Sequence, residues 1–104
     1  MDIVKKAIAG TLESSDAQVS VEPAASLELV VESAVDARFS RHVREAALAA
    51  LAELGVKAAR VELRERAALD CTVRARVLAA CLRAAGREEE PLPWEALGAE
   101  ARRC

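Results

Sequence analysis

Between Ala9 and Glu22 the chain runs in two short extended stretches, with Val19 and Val21 standing between Gln18, Ser20 and Glu22. A period of two is that of a strand with one covered face. A turn is predicted near Ser14-Ser15-Asp16. Pro23, Ala24, Ala25 and Ser26 interrupt the pattern, and Leu27, Leu29 and Val31 then alternate with Glu28 and Glu32 as a further strand. Together these segments read as an antiparallel hairpin.

Ser33 and Asp36 have the S-x-x-D spacing of a helix start, and Phe39, Val43, Ala46, Ala50 and Leu54 follow at steps of three and four. Gly55 is placed as that helix's C-terminal cap. Ala59, Val61 and Leu63 alternate with Arg60, Glu62 and Arg64 as another strand. From about Asp70 a second helix carries Leu69, Val73, Val77, Ala80 and Ala84 on one stripe, and Gly86 stops it. The predicted class is α+β: a small single domain in the order β-β-α-β-α, the first strand open to being broken in two, with two helices packed on a mainly antiparallel sheet. Residues 87–104, with Pro91-Leu92-Pro93-Trp94, read as an extended C-terminal tail, since the prolines forbid a continuing helix.

Composition narrows the function. At 104 residues one domain is the default. The aromatic residues are Phe39 and Trp94 alone, so the core is aliphatic, Val and Leu against Ala. A formal charge of −2 argues against a nucleic-acid partner, which calls for a concentrated excess of Lys and Arg. No apolar run reaches the roughly 20 residues of a membrane span, and the N-terminus lacks the basic-then-apolar order of a secretion signal. The expected compartment is the cytoplasm and the expected partner a protein.

Little in the chain resembles catalytic machinery. His42 is the single histidine and lies mid-helix, a surface or boundary position. No P-loop, G-x-G-x-x-G or C-x-x-C occurs, and no metal or catalytic residue is assigned. Cys71 and Cys81 sit on one helix about 15 Å apart, beyond the roughly 7 Å reach of a disulfide, and read as free thiols. Cys104, the terminal residue, could pair only adventitiously. Arg74, Arg76, Arg83 and Arg87 do not share one helical face and read as a solvated surface. Trp94 either tacks the tail to the domain or anchors a partner.

The segment Ala9-Gly10-Thr11-Leu12-Glu13-Ser14-Ser15-Asp16 taken by itself is a strand leading into a Ser/Asp turn. It resembles the A-G-T-L-E-S-x-D signature of the citrate lyase acyl carrier proteins, the gamma subunits of that complex. Ala68-Leu69-Asp70-Cys71 followed by Arg74-Ala75-Arg76 is similar to the family's A-L-D/E-C-x-x-R-A-R helix start, and Leu92-Pro93-Trp94 matches a third feature. The matches span Lys5 to Trp94 in the family's order. Where the family often has an acidic, Gly-containing turn, this chain has Arg64-Glu65-Arg66-Ala67, and seven residues follow Leu97.

The resemblance implies a non-catalytic carrier. Ser14, and not Ser15, would bear 2'-(5''-phosphoribosyl)-3'-dephospho-CoA through a phosphodiester, with acetyl and citryl carried as thioesters on the terminal thiol. An alpha subunit (acyl transferase) would exchange acetyl for citryl, and a beta subunit (lyase) would release oxaloacetate, all within a hetero-oligomer. A separate prosthetic-group transferase would load the arm, with Glu13 and Asp16 as its recognition contacts. Carriers of citramalate lyase resemble this chain equally. The malonate decarboxylase carrier fits its motifs less well, and an unmodified scaffold domain is the reading from another class.

Overall fold

The computed structural model describes residues 1–33 and 37–87. It contains β1 (Ala7–Gly10), β2 (Ala17–Glu22), β3 (Leu27–Ser33), α1 (Ala37–Leu54), β4 (Ala59–Glu65) and α2 (Asp70–Ala84). This is the predicted order with its first strand divided. The S-x-x-D start at Asp36, the tail beyond Arg87 with Trp94, and Cys104 lie outside the described residues.

The sheet order is β1-β2-β4-β3. β1 runs antiparallel to β2, with Ala9 opposite Val19, and β2 antiparallel to β4, with Val19 opposite Leu63. β3 is parallel to β4, Val31 standing opposite Leu63. The sheet is therefore mainly antiparallel, as predicted, but the pairing corrects one expectation. The hairpin joins β1 to β2 around the Ser14 turn, while β2 and β3 are kept apart by β4. The physical reason is burial. Val19 and Val21 of β2 and Val61 and Leu63 of β4 are sealed from solvent, whereas Leu29 and Val31 of β3 are half-buried. The two best-covered strands take the centre, and α1 supplies the crossover that a parallel pair requires.

Both helices lie on one face of the sheet, α1 against β3 and α2 against β1 and β2. Val43, Ala46, Ala47, Ala50 and Leu51 of α1 meet Val73, Val77, Ala80, Cys81 and Ala84 of α2 in one buried cluster with the inward residues of the strands. Alanine at so many contact positions lets helix and sheet backbones approach closely, which offsets the lack of aromatic bulk. Phe39 and Leu54 flank this cluster half-buried. Leu69 departs from its predicted stripe: it precedes the first turn of α2 and is 64% exposed. Leu51, Leu78 and Leu82 fill places the stripes omitted.

Each helix ends at its glycine through the same pair of backbone bonds. Gly55 N donates to Ala52 O and Val56 N to Leu51 O, and Gly86 N donates to Arg83 O and Arg87 N to Leu82 O. Both are Schellman closures, which satisfy carbonyls that the helix leaves without partners. Cys81 is a free, buried thiol, as expected. Cys71 is disulfide-bonded, which corrects the expectation of a free thiol there; helix rise excludes a bond between positions 71 and 81 but not one to another cysteine.

Candidate functional site

The β1–β2 connection is a short loop whose shape begins at Gly10. Gly10 has φ +91°, and a Cβ added there would stand 1.8 Å from the carbonyl oxygen of Ala17 and 2.9 Å from Cδ of Arg76. Only glycine fits. The chain then turns back through Thr11, whose hydroxyl accepts from Glu13 N at 3.2 Å and donates to Asp16 Oδ2 at 2.6 Å.

Asp16 N donates to Glu13 O at 3.1 Å, closing a four-residue turn with Ser14 and Ser15 at its centre. Ser15 is left-handed, φ 64°, and Ser14 is not. Negative φ followed by positive φ is the sequence of a type II turn. Ser14 thus occupies the first central position. It is exposed, and its hydroxyl makes no hydrogen bond among the described residues.

The loop is fastened to the domain at two points. On one side Ser15 N donates to Arg66 O at 2.6 Å, Arg66 N donates to Asp16 O at 3.0 Å, and Arg66 Nη1 reaches Leu12 O at 3.3 Å. On the other, Arg76 of α2 grips Asp16 with Nε on Oδ1 and Nη2 on Oδ2, both at 3.0 Å. Ala17 N also donates to Asp16 Oδ1 at 2.7 Å. The Arg76 hydrogen bonds chiefly, helped by those from Thr11 and Ala17 against the cost of desolvation, hold the Asp16 carboxyl down to about 2. Asp16 is therefore ionised and fully engaged. It braces the loop, and Glu13 remains exposed beside Ser14.

The foot of the loop rests on a buried carboxylate. Glu65 closes β4 with 2% exposure, accepting from the Ser33 hydroxyl at the end of β3 and from Ala68 N at 2.9 Å. That amide opens the turn containing Ala67, a second left-handed residue with φ 58°. The sequence departure at 64–67 thus leaves a glycine-like backbone in place with alanine on it. A cleft of about 490 Å³ lies here, lined by Leu12, Glu32, Ser33, Arg64, Glu65 and Arg66.

Sequence reasoning placed Ser14 on a turn but treated the segments at 9–16 and 68–76 as separate matches. The structure bonds one to the other through Asp16 and Arg76. Arg76 is thus no free solvated arginine, and Arg83 is also tied down, Nη1 donating to Ile8 O at 2.8 Å. Thr11, Glu65 and Arg66 were missed. The signal for Glu65 was present in the strand's period, since the inward register of Val61 and Leu63 continues onto it. His42 is exposed on α1, as predicted.

A family model described as "ACP: Malonate decarboxylase delta subunit (MdcD)" matches residues 4–84. Curated relatives named citrate lyase acyl carrier protein cover almost the whole chain. One from Haemophilus influenzae (strain Rd) is 44% identical over 97 residues, 93% of this chain and 99% of the relative. One from Haemophilus ducreyi is 40% identical over 95 residues, 91% of this chain and 97% of the relative. Another, from Lacticaseibacillus casei, is 39% identical over 100 residues, 95% and 97% of the two chains.

Proposed function

The chain belongs to the acyl carrier protein family that includes the citrate lyase carriers, and from that premise we propose that it is the acyl carrier subunit of citrate lyase, with Ser14 as the attachment point of its covalent arm. The observation that carries the site is the exposed Ser14 hydroxyl on a braced turn. A separate enzyme has to reach that oxygen, and no neighbouring side chain competes for it. Asp16 cannot act as its base, because both carboxylate oxygens are occupied by Arg76, Thr11 and Ala17.

The arm is read as 2'-(5''-phosphoribosyl)-3'-dephospho-CoA, joined through a phosphodiester. When bound it supplies a terminal thiol, whose acyl thioesters are good electrophiles and acidify the neighbouring C–H bonds. This chain's residues supply position. Gly10, Thr11 and Asp16 shape the turn, while Arg66 and Arg76 hold it against β4 and α2. Tethering makes encounters with partner sites intramolecular, at an effective concentration set by the tether. The partners in this reading are the alpha and beta lyase subunits and the prosthetic-group transferase, and the compartment is the cytoplasm.

The test is co-expression with the attaching enzymes, followed by peptide mass mapping. The adduct is expected on the Ser14 peptide, absent in Ser14→Ala and retained in Ser15→Ala. The reverse pattern would overturn the assignment. Oxaloacetate formed from citrate by the isolated loaded chain would overturn its non-catalytic role. The name of the family model favours a second substrate class, malonate decarboxylation; reconstitution with each set of partner subunits separates the two.

A further inference from the structure

Four carboxylates and three guanidinium groups stand on the Ser14 turn and around the cleft beside it, and most of them are already engaged. Glu65 is held by Ser33 and the Ala68 amide. Glu32 pairs with Arg64 at 3.1 Å, and Asp16 pairs with Arg76. Among the described residues Glu65 meets only the neutral donors of Ser33 and Ala68, and Glu13 and Arg66 have no charged partner.

Arg66 is exposed, and among the described residues its guanidinium makes one hydrogen bond, to the carbonyl of Leu12. Among the described residues no carboxylate lies within ion-pair distance of it. A guanidinium offers five donors in a planar fork, so most of this one is uncommitted. The Arg66 backbone from which it springs is nonetheless fixed, because it exchanges bonds with the neighbouring residues Ser15 and Asp16 of the turn. Leu12, two residues before Ser14, forms an apolar part of the same wall and is 40% exposed.

We propose that this cleft is a docking site for the phosphate-bearing root of the arm, with Arg66 as counter-ion to the phosphodiester on Ser14 and Leu12 as the apolar wall beside it. The inference rests on the reading of Ser14 as the attachment point. A phosphodiester on Ser14 puts a negative charge next to Glu13, and the fork of Arg66 offsets that repulsion through charge-assisted hydrogen bonds. The loaded arm is then held at its root against the cleft, and only its distal part is free to move.

The experiment compares loaded wild type, Arg66→Gln, Arg66→Lys and, as a remote charge control on α1, Arg41→Gln. Intact mass verifies loading. The ³¹P resonance of the Ser14-linked phosphodiester is recorded at low and high salt, with amide exchange at Leu12 and Ser15 before and after loading. In wild type and Arg41→Gln the resonance should be displaced from that of a modified peptide at low salt and return toward it at high salt. Loading should slow amide exchange in both.

Arg66→Gln should lose the displacement and the protection, and Arg66→Lys, which keeps the charge without the fork, should retain part of each. Should the glutamine variant refuse the arm, the lysine variant carries the comparison. A loaded Arg66 variant indistinguishable from wild type overturns this inference and leaves the Ser14 reading standing. A chain that never takes up the arm on Ser14 overturns both.

Discussion

Asp16 and Arg76, sixty residues apart in the chain, are joined by two parallel hydrogen bonds of 3.0 Å. The pair links the β2 end of the β1–β2 loop to the middle of α2, and it is the planar, bidentate form in which arginine binds carboxylate best.

Acid should expose this brace. With the Asp16 carboxyl held at about 2 against an ordinary 3.8, its contribution is fully present above about pH 4 and is lost as pH falls through about 2. Since the Arg76 side chain is 38% exposed, solvent screening brings the effect to about 1–2 kcal/mol. Asp16→Asn should lower neutral-pH stability by that amount and flatten the acid limb between about pH 4 and 2. Urea titrations of both proteins across this range check it; parallel acid limbs would refute it.

Gly10→Ala should be severe. The added methyl would meet a backbone carbonyl at 1.8 Å, and the left-handed backbone alone costs about 1–2 kcal/mol for a residue with a Cβ. A loss above about 2 kcal/mol is expected, with amide exchange rising first in the loop. A melting curve unchanged from wild type would show that the loop closes in another way.

Ala67→Gly should have the opposite sign. Ala67 sits at φ 58°, where removing Cβ relieves strain and only part of the gain is lost to the freer unfolded chain. The expected gain is about 0.5–1 kcal/mol, a rise of a few degrees in melting temperature for a domain of this size.

The core separates two leucines of α1. Leu51 is fully buried, and Leu51→Ala should cost about 2–5 kcal/mol. Leu54 is half-buried against Leu78 and Leu82, so Leu54→Ala should cost less. Thermal melts of the two variants give the order directly.

Burial pushes the Cys81 thiol up to about 12, so at neutral pH it carries almost no thiolate, the reactive form. Iodoacetamide should leave the Cys81 peptide unmodified in native protein and label it after denaturation, as read by peptide mass.

The strands and helices were legible because each segment carries its own period, and Gly55 and Gly86 marked both helix ends. The strand pairing was not. The link Pro23–Ser26 suits a hairpin, and Leu27, Leu29 and Val31 look as apolar as Val19 and Val21. What decides is depth of burial, a property of the whole assembly. A helix of 18 residues between β3 and β4 was the available sign of a parallel pair. At the candidate site, the turn at Ser14 was readable from the Ser/Asp chemistry of the segment. The partnership of Asp16 with Arg76, and of Ser15 with Arg66, joins residues far apart in the chain and has no local signature.

The order of synthesis gives the Arg76 brace one further effect. Residues 10–16 leave the ribosome well before α2, and chains are made from the N-terminus. Until Arg76 arrives, the nascent segment holds the same serine without the contact that fixes its turn. The structured turn that bears Ser14 is thus a late product of folding, complete only once α2 has packed against it.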